Sequence, residues 1–293
     1  MNSKLPLTRG LTIAYRASLV VAATMTVASL AGLVSWSAMY PGLEAKDLPL
    51  FVGQDALNLI VGLPLLLGSM WLAARGSVLG LLLWPGALFY VVYDYGYYVL
   101  GAPFNALFIP YLVLVTLSAY TAVTVIASID GTRVRERLSG ALPVRLAGAA
   151  LAMTAMLFML LWSLLSLSAF VSGASLDPIL RVVTIMDLTV QLPALLLCGV
   201  LLWRGDPLGF VAVPALLLQA AAYLLGLSAI TVLQEAVAGA PVDPVAVVPG
   251  VVVSVAFLAL LGTVVQGADA MQKAATAADE RRRVASVRGV HAR

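Results

Sequence analysis

The sequence predicts an all-α fold: a polytopic transmembrane helical bundle of eight spans, arranged as two parallel four-helix repeats. Three observations predict it. Of 293 residues, 62% are hydrophobic and 11% charged, with a mean hydropathy of +1.02, more apolar surface than a soluble core absorbs. The charges gather between apolar runs longer than about 18 residues, the length that spans a bilayer. The chain also matches itself at a fixed offset, through prolines, glycines and arginines as well as leucines.

Taken in order, the apolar runs place spans at about 14–38, 56–74, 78–99, 105–128, 145–170, 180–203, 208–233 and 245–267. The first has a basic start but is longer than a signal-peptide core and has a counterpart in the second half, so it reads as a retained helix. With the amino terminus inside, 15 of the 17 basic residues are cytoplasmic, and only Lys46 and Arg181 fall outside. The expected location is the plasma or inner membrane of the cell, with both termini in the cytoplasm. Residues 1–293 form a single membrane domain on this reading.

At an offset of 129, Arg16 meets Arg145, Pro49 meets Pro178, Pro64 meets Pro193, and Arg75-Gly76 meets Arg204-Gly205. Gly80 meets Gly209 and Pro85 meets Pro214 in the same register. After a ten-residue insertion, an offset of 139 pairs Pro110 with Pro249 and Asp130 with Asp269. The expected repeats cover about 16–130 and 145–269, joined by a basic cytoplasmic linker at 131–144 and followed by a basic tail at 270–293. Each repeat has an even number of spans, so both share one orientation about an axis along the membrane normal.

Composition excludes several chemistries. One cysteine, Cys198, and one histidine, His291, cannot make a disulfide within the chain, a paired-histidine haem site, a zinc site or an iron–sulfur site. The lysines are Lys4, Lys46 and Lys273, none inside a span, so a retinal-type Schiff base has no amine. Nucleotide-binding and serine-hydrolase motifs are missing. No cofactor, no metal and no nucleic-acid partner are expected. The bilayer is the expected partner, with anionic lipid head groups at the basic tail, and a small-molecule ligand is possible in the bundle.

Asp187 is the sharpest candidate for ligand binding, with Gln191 one turn further in and Asp177 and Arg181 upstream. Its first-half equivalent is Asn58, with Asp55 on the same face. A carboxylate at membrane depth implies function; one at a helix start implies capping. Pro64 and Pro193 follow six residues later and are expected to kink their helices. Tyr90, Tyr93, Asp94, Tyr97 and Tyr98 share a face near the outer end of the third span. They suit an aromatic belt, or a pocket for an organic cation or amphipathic head group. Arg75 and Arg204 stand at cytoplasmic turns, where they meet lipid phosphate. Gln219 is the main polar group left at mid-depth, and one interhelical hydrogen bond would satisfy it.

Tyr93-Asp94 together with Pro193-Ala194-Leu195, or Pro214-Ala215-Leu216, resembles two of the three signatures of presenilin-type intramembrane aspartyl proteases. The third, G-x-G-D, is absent, and Asp187 follows Met186 with no glycine beside it, so no catalytic role is carried over. The favoured expectation is a bundle that binds or moves a small solute or lipid-like ligand through an outward-facing vestibule. A non-catalytic partner subunit or sensor is the alternative. A membrane enzyme using the outer carboxylates is the third reading, and it requires Asp94 and Asp187 to converge.

Overall fold

The computed structural model describes residues 5–140 and 144–266. These residues are all-helical apart from one isolated bridge, Leu7 with Ile129. Eight helices are long and apolar enough to cross a membrane: Thr12–Val34, Leu48–Ala74, Val78–Gly101, Phe108–Ala127, Val144–Ser172, Pro178–Trp203, Pro207–Ala238 and Pro244–Gln266. They are called the first to eighth spans below. The chain is an integral, multi-pass membrane protein. The expected basic tail at 270–293 and Asp269 lie outside the described residues.

The second span begins at Leu48, eight residues before the apolar run suggests. Gln54 and Asp55 lower the local hydropathy, but both are buried and hydrogen-bonded, so the helix continues through them. Pro49 lies in its first turn, where a missing N–H costs nothing. The sixth span likewise begins at Pro178, capped by Asp177, whose Oδ1 accepts from the Ile179 and Leu180 amides at 2.9 and 3.3 Å. Asp177 pairs across loops with Lys46 at 3.7 Å rather than serving Arg181 as its side-chain partner.

The turn after the second span and the turn after the sixth are built alike. Gly76 and Gly205 adopt φ of 84° and 71°, which only glycine takes at low cost. Ser77 and Asp206 then cap the next helices, accepting from the amides of Gly80 and Leu208. Gly80 packs on the backbone of Leu72 and Ala73, and Gly209 on that of Leu201 and Leu202. The linker is a helix, Gly131–Leu138, capped by Asp130 and burying Val134 and Leu138.

The third and seventh spans are the centre of the bundle, with 78% and 67% of their apolar windows buried, against 17% for the fifth and eighth. They touch where a Cβ on Gly86 would overlap the backbone of Ala215. Small residues permit such approach, which in lipid replaces the hydrophobic drive to associate. Higher up, Gly101 faces Val182 while Gly53 faces Ile230. The fifth and sixth spans meet at Gly148 and Gly199.

Candidate functional site: a buried polar layer

Two segments of π-helix interrupt the spans, Asn58–Gly62 in the second and Asp187–Gln191 in the sixth. They are 129 residues apart and each leads into a proline, Pro64 or Pro193. A π segment widens the turn, accommodating a residue that cannot donate a backbone hydrogen bond, and re-aims the side chains at its start. Asn58 and Asp187 are those residues. Asn58 lies ten residues into its helix, about 15 Å along the axis at 1.5 Å per residue, too deep for a cap.

In the first half the re-aimed groups form a dense network. Asn58 Nδ2 donates to Asp94 Oδ2 at 2.7 Å and lies 3.4 Å from the Tyr95 hydroxyl, which pairs with Ser29 at 2.9 Å. Asp55 accepts from the Tyr40 hydroxyl at Oδ2 and from Tyr98 at Oδ1, the latter at 3.1 Å. The Phe51 carbonyl, 3.0 Å from the same Tyr98 hydroxyl, shares that hydroxyl's single proton with Asp55. Gln54 donates to Tyr90 at 3.2 Å. Gly32 on the first span makes room for this, since a Cβ there would overlap the Asp55 carboxyl. Tyr40 lies outside the spans, and burial, followed by the Asp55 charge, raises its phenol above the usual range, so it stays a donor.

The second half is sparser. Asp187 is half-buried and accepts from Tyr93 at 2.6 Å and from Trp162 Nε1 at 2.7 Å. Gln191 donates to Gln219 at 2.9 Å, the interhelical bond expected of Gln219. Tyr93 belongs to the third span, so the first half supplies a partner to the carboxylate of the second. Tyr223 packs edge-on against Tyr93 with ring centroids 4.6 Å apart.

Three expectations change. Asp55, Asn58 and Asp94 are 1%, 0% and 0% exposed, and Tyr90 and Tyr93 are 2%; they are enclosed rather than lining an open vestibule. The tyrosines of the third span are not an aromatic belt, because that helix is central; Tyr120, 74% exposed, faces outward instead. Tyr97 turns its ring to Phe51, with ring centroids 5.3 Å apart. Arg75 stacks on Trp71 at 3.8 Å, and Arg204 is exposed.

Sequence reasoning missed Gln54, Tyr40, Ser29, Tyr95 and Trp162. Only Gln54, a polar side chain next to Asp55 in an apolar run, carried a signal. Asp94 and Asp187 accept hydrogen bonds from different neighbours, Asn58 and Tyr93. Comparison of the chain with protein-family models, curated proteins and solved structures finds no match.

Proposed function

We propose that this protein binds and moves a small polar solute across the membrane, and that the structure corresponds to a closed state with the polar layer sealed. One observation carries the reading: Asn58 Oδ1, Asp94 Oδ1, Tyr111 Oη, Ser118 Oγ, Gln191 Oε1 and Gln219 Nε2 are buried in spanning helices without a hydrogen-bond partner. An orphaned buried polar atom costs about 1–3 kcal/mol, and in hydrocarbon no solvent relieves it. Groups kept in that condition are normally kept for use. Three are acceptors, one is a donor and two are hydroxyls that serve as either, which suits a guest carrying several N–H or O–H groups and at least one acceptor.

The two-repeat arrangement belongs to this proposal, as hinged halves around a shared layer. It is supported by the π segments 129 residues apart. It is supported also by Gly86 meeting Ala215, its own equivalent at that offset, as a twofold axis requires. The contacts of Gly101 with Val182 and Gly53 with Ile230 exchange under the same offset. Cytoplasmic termini in the cell membrane, supported by the distribution of basic residues, and lipid phosphate at Arg75, Arg204 and the tail complete the reading.

The test is a cysteine scan in a Cys198→Ala background over 55–70 and 184–199, with a membrane-impermeant thiol reagent on intact cells. Labelling with helical period past Pro64 and Pro193 is expected if the layer opens. Labelling that stops at Asp55 and Asp187 removes the transport reading and leaves the partner-subunit one, which the closed centre favours.

A further inference from the structure

Two of the unpartnered atoms of the first half form a chemically specific pair. Asn58 and Asp94 share one hydrogen bond, from Nδ2 to Oδ2, and each has one oxygen left over, Asn58 Oδ1 and Asp94 Oδ1. Both residues are 0% exposed. Two acceptors cannot satisfy each other, and a single proton on Asp94 Oδ1 is the smallest addition that turns one of them into a donor. The amide and the carboxylic acid then have complementary edges: N–H to carbonyl on one side, O–H to carbonyl on the other.

Charge balance points the same way. The carboxyl facing this pair is Asp55, on the adjacent turn of the second span. The phenols around Asp94 are Tyr90, Tyr93, Tyr95, Tyr97 and Tyr98 from its own helix, Tyr111 from the fourth span and Tyr223 from the seventh, and the Gln54 amide of the second span also faces it. Among the described residues, no basic side chain is paired with Asp94: the ion pairs given by Lys46 and Arg133 lie outside the spans. Asp55 differs from Asp94 in having a hydroxyl within hydrogen-bond distance of each oxygen, Tyr40 at Oδ2 and Tyr98, shared with the Phe51 carbonyl, at Oδ1. An ionised carboxylate with one hydrogen bond in such surroundings neutralises itself in preference to staying charged.

We propose that the Asn58–Asp94 pair is a proton-binding site, with Asp94 protonated on Oδ1 in the closed state and Asn58 as the residue that positions it. The proton comes from the aqueous phase when the layer opens, forming one O–H bond and discharging one carboxylate. Release on the other side recharges Asp94, so the site couples opening to proton movement. This use rests on the transport reading; the occupancy of the site does not.

The test is infrared difference spectroscopy of the full chain in lipid nanodiscs, titrated with pH in light and heavy water. A carboxylic-acid carbonyl band is expected at neutral pH, lost in Asp94→Asn and retained in Asp55→Asn and Asp187→Asn. Asn58→Leu is expected to shift the band to higher frequency, because Oδ2 loses its donor; this readout holds even where Asp94→Asn does not fold. No acid band at neutral pH, or a band that survives Asp94→Asn, overturns the proposal. Bleaching of the band by sodium at constant pH also overturns it, replacing the proton with an alkali cation. The spectrum reads the proton whether or not the cysteine scan finds water, so the two proposals fail separately.

Discussion

The two π segments use one backbone device for two different polar loads. In the second span it delivers Asn58 into a network of Asp55, Asp94 and four tyrosine hydroxyls, enclosed on every side. In the sixth it delivers Asp187 to a half-buried position, where Tyr93 and Trp162 supply the donors and the only further polar pair is Gln191 with Gln219. A common backbone solution therefore does not dictate a common site. The load depends on what faces the bulge: Asp94 and Tyr95 of the third span in one case, Tyr93 of the third span and Trp162 of the leucine-rich fifth in the other.

The largest expected effect breaks the axis between the two regions. Gly86→Ala places a Cβ against the Ala215 backbone, which cannot rotate away, so destabilisation at or above the top of the roughly 1–3 kcal/mol range for overpacking is expected. Gly68→Ala, with nothing within 4 Å of the new Cβ, serves as the control and should stay within about 0.5 kcal/mol. Thermal unfolding in detergent compares them; equal melting temperatures would contradict the crossing described.

Next comes a direct contrast of the two loads. Asn58→Leu leaves the Asp94 carboxyl with no donor and should cost about 1–3 kcal/mol, more if the carboxyl is charged. Gln191→Leu removes one orphaned oxygen but leaves the neutral Gln219 Oε1 without its donor, so its cost should fall at the low end of the same range, about 1 kcal/mol. A larger loss from Gln191→Leu would invert the comparison. Trp162→Phe strips one of two donors from a half-buried carboxylate, and about 1 kcal/mol or less is expected, with a drop in intrinsic fluorescence.

The smallest effect lies at the loops. Lys46 is fully exposed, and hydrogen bonding to Glu44, then the charges of Glu44, Asp47 and Asp177, raise it above its ordinary 10.5. Its contribution is present below that ordinary value and lost as pH rises through the raised one. Lys46→Ala should leave the melting temperature unchanged at neutral pH and 0.15 M salt, where exposed pairs are screened within about 8 Å. A measurable drop would mean that the loops hold the halves together.

Much of the frame was legible in the residues. Proline and glycine positions announce where helices start, stop and bulge, because the backbone effects of these residues hold in any surroundings. Asn58 and Asp187 stood out because polar groups are costly in an apolar run. The sealing of the site was not legible. A tyrosine at the outer end of a span reads alike whether it faces lipid, water or another helix, and Tyr95 and Tyr98 become network members only because the third span is central. Ser29 and Tyr40 carried no signal, since a small hydroxyl in one span and a loop phenol acquire meaning only from the carboxyl that meets them.

By itself, then, the sequence determined that the chain is an eight-span helical membrane protein with basic residues concentrated at alternate helix ends, because transfer of side chains into lipid is a local, additive property. Only the tertiary structure decided which carboxyls are partnered, which helix is central and which polar atoms are left without a hydrogen bond. Those follow from packing between spans, where lipid and leucine are equally apolar and close fit, rather than hydropathy, selects the neighbours.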